Sequence, residues 1–313
     1  MKQTIPMRDG YGKALLELCA RGEQIMVLDA DVAKSTRTVW VREQFPERFL
    51  DMGISEQDMV GTAAGLALSG VTPFVSTYGV FLAGRAWDQI RTTVCYNNLG
   101  VKLAGAHAGI SVGPDGATHQ ALEDLALMRV LPNMTVLAPC DAEETRKATL
   151  AMAKLPGPCF IRFGREAVPV ITEEDTPFEI GRARLCRSGG DVTVFACGAM
   201  VYEALQAAES LDGDGISVRV YDLHTVKPLD EEAILAAAEE TGCLVTAEEH
   251  QEAGGMGSAV AELLAKKAPV PLETVAVRDS FGQSGQPGEL MERYGLDRNG
   301  ITAAVRRALA RKG

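Results

Sequence analysis

Nowhere does the sequence hold an apolar run approaching the roughly 20 residues a helix needs to span a bilayer, which excludes a chain crossing a membrane in that way. Cysteine is sparse. The seven residues, Cys19, Cys95, Cys140, Cys159, Cys186, Cys197 and Cys243, are scattered, odd in number and form no C-x-x-C pair. That argues against a disulfide framework, a zinc site or a dithiol redox centre, and they read as small buried hydrophobes. The opening MKQTIPMRDGYGKALLEL lacks the positive-then-apolar order of a secretory leader, with Arg8 and Asp9 where an apolar core belongs, so the expected compartment is the cytoplasm. Positive charge is short too. A formal net charge of −11 disfavours nonspecific attraction to nucleic acid or to a membrane surface, since both depend on clustered Lys and Arg. Any anionic substrate must therefore meet a local basic site. No solenoid-like repeat or low-complexity tract is visible.

What is present is a chain of 313 residues, 46% hydrophobic and 23% charged, the proportions of a globular protein. That length favours two domains of roughly 130 to 180 residues. The first half alternates helical and strand patterns: helix Arg8 to Ala20, strand Ile25 to Asp29, helix Glu56 to Leu68, strand Thr72 to Ser76, helix Leu82 to Tyr96, strand Val101 to Gly105, a loop from Ala106 to Thr118, helix His119 to Met128, strand Thr135 to Ala138, helix Ala142 to Ala153 and strand Cys159 to Phe163. This alternation predicts a parallel sheet covered by helices, and runs such as IMVLDA suit strands buried on both faces. The Pro-, Thr- and acid-rich stretch between Val168 and Gly181 reads as a linker, and a second, smaller α/β unit follows with strands DVTVFAC, ISVRVYD, CLVTAEE and LETVAV. The expected division is a domain over residues 1–172 and another over 180–313, both α/β with parallel sheets.

Three segments carry chemistry. GISEQDM, Gly53 to Met59, joins a short strand to a helix; Ser55 and Asp58 suit a capping box, which would leave Glu56 a first-turn acid favoured by the helix dipole. STYGVF, Ser76 to Phe81, brings Tyr78 and Phe81 to a strand's C-terminal end, where ligands of parallel sheets collect, although two aromatics three apart also suit a core. In AHAGISVGPDGATHQALED, two of the chain's four histidines, His107 and His119, flank Asp115 in a Gly-rich loop. A structural loop needs glycines; two imidazoles and a carboxylate suit the handling of hydroxyls and protons. The spacing matches no standard zinc or calcium pattern, and no metal ligands are assigned to this chain.

In this order and spacing the three segments resemble the pyrimidine-binding and C-terminal domains of transketolase, over essentially the whole chain. The resemblance implies that Glu56 contacts the pyrimidine of thiamine diphosphate, that Tyr78 and Phe81 form an aromatic platform under it, and that His107, Asp115 and His119 line the substrate site. ADVAKSTRT resembles the family segment with an aspartate near the cofactor and a serine on the sugar phosphate, here Asp31 and Ser35. By the same resemblance Arg8 and Arg165 fall on phosphate-binding arginines, although a solvated salt bridge explains either one taken alone. Full-length transketolases also carry an N-terminal half with GDG followed by Asn, which holds the diphosphate and its metal. The GDG here, Gly213 to Gly215, lies between a helix and a strand with no Asn about 25 to 30 residues beyond it, and reads as a turn. EAGGMGSAV lacks a full dinucleotide fingerprint and reads as a helix start packed on a strand.

The implied protein is one subunit of a split transketolase. A separate N-terminal subunit would hold the diphosphate and Mg2+ or Ca2+, in an α2β2 heterotetramer acting on sugar phosphates. Glu56, beneath aromatic rings, would keep a proton available at the pyrimidine, and the histidines would assist proton movement. Two other thiamine enzymes compete: the β-subunit of a 2-oxo acid dehydrogenase, which does not share the loop, and deoxyxylulose-phosphate synthase, which usually has Arg where His107 stands. A flavin- or nucleotide-binding α/β subunit is the rival of another class, and would leave Glu56, His107 and His119 without roles.

Overall fold

The computed structural model describes residues 3–312; Met1, Lys2 and Gly313, at the outer limits of the two expected domains, lie outside the described residues. In chain order the first part runs β1 (Thr4–Pro6), α1 (Met7–Ala20), β2 (Ile25–Asp29), α2 (Ala33–Thr36), α3 (Val39–Gln44), β3 (Phe49–Asp51), α4 (Glu56–Leu68), β4 (Thr72–Tyr78), α5 (Gly79–Arg85), α6 (Trp87–Gln89), β5 (Lys102–Ala106), α7 (Asp124–Arg129), β6 (Thr135–Leu137), α8 (Ala142–Ala153), β7 (Cys159–Phe163) and β8 (Ala167–Pro169). The second runs β9 (Arg184–Arg187), β10 (Val192–Ala196), α9 (Met200–Asp212), β11 (Val218–Asp222), β12 (Thr225–Lys227), α10 (Glu231–Thr241), β13 (Leu244–Gln251), α11 (Met256–Lys267), β14 (Leu272–Val277), α12 (Pro287–Arg293) and α13 (Arg298–Ala310).

Two mostly parallel sheets result. The first has the order β12-β6-β7-β5-β4-β2-β3 and the second β14-β13-β10-β11-β9, with β1 and β8 forming a separate ribbon. Strands β5, β7 and β10 are buried at every position, as expected of strands covered by helices on both faces. Each sheet nevertheless ends in an antiparallel edge strand, β12 or β9, that the alternation did not predict. Strand β12 comes from the second part yet completes the first sheet, pairing Thr225 with Leu137 and Lys227 with Val136. Lys227 Nζ secures it by donating to the carbonyls of Arg129 and Leu131 at 3.0 and 2.5 Å. One apolar cluster runs through the junction, joining Leu125, Met128 and Val136 to Phe195, Leu223 and Val226.

Two expected helices are shorter than their periodicity suggested. The stretch from Leu82 breaks at Ala86 and becomes π-helical over Ile90–Cys95. The stretch from His119 stays irregular until Asp124, because Ala121 is drawn into a parallel bridge with Ala108 and its carbonyl accepts from Gly109 N–H. Gly-rich EAGGMGSAV is a helix start: the buried Glu248 carboxylate accepts from Met256 and Gly257 N–H at 2.7 and 2.8 Å, satisfying donors that a helix leaves free.

The junction also buries charge. Glu144 of α8 lies near Asp222 and Cys140, with ligand-type atoms within 4.8 Å of one another. The positive charge there belongs to Arg184, whose Nη2 donates to Asp222 Oδ2 at 3.0 Å. Burial, then the charge of Asp222, pushes the Glu144 carboxyl up to about 8 from an ordinary 4.5. The folded protein therefore holds a proton that the unfolded chain releases, so this group's contribution to stability is full below about 4.5 and lost as pH rises through about 8. Denaturant melts at pH 5, 6.5 and 8 should show stability falling across that window, with a shallower fall in Glu144→Gln.

Candidate active site

The carboxyl ends of β2, β4 and β5 lie side by side, and the loops leaving them meet there. After β2, the fully buried Asp29 carboxylate accepts from Val32 N–H, Thr36 Oγ1 and Thr38 Oγ1, each at 2.7 Å. Burial pushes its carboxyl up to about 6, offset in part by those bonds. They fold the loop so tightly that Asp31 and Arg37 take left-handed backbone, φ 61° and 70°. Ser35 is thereby presented at the sheet edge, where its Oγ lies 3.0 Å from the donating Tyr78 hydroxyl and its carbonyl accepts from Arg8 Nη1 at 3.3 Å.

Tyr78 ends β4, and Phe81 stands three residues on in α5. The Tyr78 ring stacks on His107 with centroids 4.3 Å apart and planes 19° apart. His119 meets both aromatics edge-on, at 5.7 Å from Tyr78 and 5.3 Å from Phe81. His107 Nδ1 is 3.9 Å from Asp115 Oδ2, and Asp115 Oδ1 accepts from Arg165 Nη1 at 3.2 Å. His107 is 2% exposed, has φ 56°, and neither ring nitrogen has a hydrogen-bond partner. Burial lowers its pKa to about 3, helped by the charges of Arg8, Arg165 and His119. The imidazole is thus neutral at physiological pH, with one nitrogen to accept and one to donate. Arg8 adds a buried Nε without a partner. Buried polar atoms left open in this way suit a polar, anionic ligand.

Glu56 begins α4 and is 1% exposed. The expected capping box is absent: Ser55 Oγ donates to Met52 O at 2.7 Å instead of capping the helix. Glu56 Oε2 accepts from Arg85 Nη1 at 2.7 Å, and the Arg85 guanidinium lies 4.8 Å from the Phe81 ring centroid. A planar, donor-bearing group therefore already bridges this carboxylate and this ring. An aminopyrimidine has the same character, so the residues fit that part of thiamine diphosphate. Among the described residues, the one trio with metal-ligand spacing is the Cys140, Glu144 and Asp222 cluster that Arg184 neutralises.

The family model for the transketolase pyrimidine-binding domain matches residues 3–170, and that for the transketolase C-terminal domain matches residues 181–301. The chain belongs to the transketolase family. It is 42% identical over 306 residues to the 6-deoxy-6-sulfo-D-fructose transketolase subunit of Clostridium sp. (strain MSTE9), covering 98% of this chain and 95% of that one. Human transketolase is 39% identical over 306 residues, which are 96% of this chain but 49% of the human protein. A solved split-gene transketolase, an inactive β4 tetramer, superposes with a TM-score of 0.93 at 49% identity over 99% of this chain and 100% of that one. Membership of the transketolase family implies thiamine diphosphate as cofactor. No helix among the described residues is long and apolar enough to cross a membrane.

Arg8, Ser35, Tyr78, Phe81, His107, Asp115, His119 and Arg165 thus form one connected group, and Glu56 joins it through Arg85. Asp31 stands apart: among the described residues its side chain makes no hydrogen bond or ion pair, and its backbone N–H donates to Asp51 Oδ1 at 3.2 Å. Arg85 and Asp29 are the residues that sequence reasoning missed. Arg85 had a readable signal, since a cation four residues after Phe81 shares its helix face. Replacing Arg85 with Met strips a buried carboxylate of its charged donor; because Arg85 is half-exposed, the expected loss is about 1–2 kcal/mol, measured by chemical denaturation of the isolated chain.

Proposed function

We propose that this chain is the C-terminal subunit of a thiamine diphosphate-dependent transketolase that moves a two-carbon glycolaldehyde unit from a ketose phosphate to an aldose phosphate. A separate N-terminal subunit supplies the diphosphate site and its Mg2+ or Ca2+, in a cytoplasmic α2β2 assembly. The observation that carries this reading is the meeting, at one sheet edge, of a buried carboxylate, an aromatic pair and a neutral, unpartnered His107 beside two arginines. The partner is supported by the match to human transketolase, which covers only 49% of that protein.

Bound thiamine diphosphate supplies the electron sink for breaking and making the carbon–carbon bond. Arg85 engages Glu56 Oε2, and Glu56 would hold the pyrimidine and its proton through Oε1. Tyr78 and Phe81 orient that ring and exclude water. His107 and His119 bind sugar hydroxyls, with Asp115 beside His107, and assist proton movement; neutrality lets His107 both accept and donate. By the family resemblance alone, Asp31 would lie near the cofactor. Arg8, Ser35 and Arg165 hold the anionic end through charge-assisted bonds. A sulfonated sugar is a second reading for the donor, favoured by the 42% identical relative named for 6-deoxy-6-sulfo-D-fructose.

Mixing with an N-terminal transketolase subunit should produce cofactor binding and sugar turnover together, whereas the chain alone should bind the cofactor poorly. In the mixture, Glu56→Gln should cut turnover by roughly 10²- to 10⁴-fold with folding and assembly intact. Exchange of the cofactor's thiazolium proton should slow with it, and a normal exchange rate would remove Glu56 from the mechanism. Arg165→Ala should raise KM for phosphorylated or sulfonated substrates while barely changing it for uncharged analogues. Equal losses on both would make Arg165 structural.

A further inference from the structure

His107 is a non-glycine residue with φ 56°, in the left-handed region that residues other than glycine uncommonly adopt. Such a residue keeps an unfavourable geometry only where its surroundings impose it. From the first sheet, Ala108 N–H donates to Phe163 O at 3.2 Å and Gly109 N–H to Ala121 O at 3.0 Å. The next bond comes from the other domain. Ser111 N–H donates to Glu249 Oε2 at 2.9 Å, and Glu249 lies at the end of β13, 6% exposed. Its neighbour Glu248 points to the opposite task of capping α11. The loop backbone lies against Glu249 so closely that a Cβ on Gly109, itself at φ 88°, would fall 2.4 Å from Glu249 Oε2. The Glu249 carbonyl is fixed in turn by Arg162 Nη2 at 2.8 Å. Further along, Gln120 Nε2 ties the same loop to the carbonyl of Gln283 at 3.0 Å.

We infer that Glu249 is a positioning residue for the candidate site: its carboxylate pins the loop at Ser111 and so holds His107 in strained backbone, facing the sugar. This gives the second domain a part in substrate binding although it supplies none of the groups proposed to touch the sugar. The inference rests on His107 being a substrate residue. Its first test does not. The groups facing His107 are the stacked ring of Tyr78 together with Arg8, Arg165, His119 and Asp115, and none of them is altered by changing Glu249.

Glu249→Met keeps the reach but offers only a weak, uncharged thioether acceptor, whereas Glu249→Gln keeps an acceptor oxygen. In the isolated chain, amide exchange across residues 107–119 should quicken at least ~10-fold in the Met variant, the loss expected for one buried bond of about 1.4 kcal/mol. Nitrogen-15 spectra of the imidazoles should show His107 moving from no protonation at pH 5 toward the usual value near ~6.5. The Gln variant should stay close to wild type in both readouts. Should the Met variant fail to fold, Glu249→Asp, which shortens the reach, is expected to loosen the loop in the same way. Unchanged exchange and titration in a folded Met or Asp variant, or equal loosening in Gln, would overturn the inference. With an N-terminal subunit present, the Met variant should raise KM for the donor sugar about tenfold at unchanged cofactor affinity. If the wild-type mixture turns over no sugar, the functional reading falls, and the exchange measurement still decides the brace.

Discussion

The guanidinium of Arg162, at the end of β7 and 7% exposed, is the tie on which the geometry of the site depends. Its Nε donates to Asp124 Oδ2 at 2.9 Å, and its Nη2 donates to the carbonyls of Ala121 and Glu249 at 2.9 and 2.8 Å. One planar fork thereby joins the first sheet, the approach to α7 and the end of β13 in the second sheet. A guanidinium suits this place because it cannot lose its charge and its donors are held in fixed directions. Burying it is tolerable because Asp124 is ionisable, fully enclosed and in contact, and Nη2 meets two carbonyls rather than apolar atoms.

The second constraint is electrostatic. A chain of net charge −11 nevertheless gathers positive charge locally, with Arg8 and Arg165 near a histidine that burial keeps neutral. A protonated imidazole there would add to the repulsion among like charges; a neutral one costs less to bury and still offers two hydrogen-bonding nitrogens. The same economy is seen at Glu56, where a buried carboxylate is matched by an arginine that reaches in from a half-exposed position and lies over Phe81. Of the six non-glycine residues with left-handed φ among the described residues, Asp31, Arg37 and His107 follow β2 and β5, backed by Asp29, Arg162 and Glu249.

Much of the fold was legible because its signals are local. Strand β2 and helices α4 and α8 have the limits that their patterns suggested, since an apolar run of strand length or a periodic helical face declares itself within a few residues. The edge strands were not legible: β12 is three residues long and exists because β6, far away in sequence, has an open edge. The helix expected from His119 failed for a related reason, because Ala121 spends its backbone on Ala108 rather than on its own turn. At the candidate site, residues embedded in ordered motifs could be picked out, whereas Asp29 could not, since its use depends on three donors that converge only after the loop has folded.

The sequence by itself determined the class of fold, the family and the segments that meet at the site, because alternation of buried strands with amphipathic helices and the order of three short motifs are properties of neighbouring residues. Only the tertiary structure decided which charges face one another. Glu56 and Arg85 lie 29 residues apart, Arg162 and Glu249 87, and Ser111 and Glu249 138. Over such separations no local periodicity links the partners. What joins them is the folding of the chain as a whole, which brings buried donors and acceptors close enough that leaving them unpaired would cost more than the strain they impose.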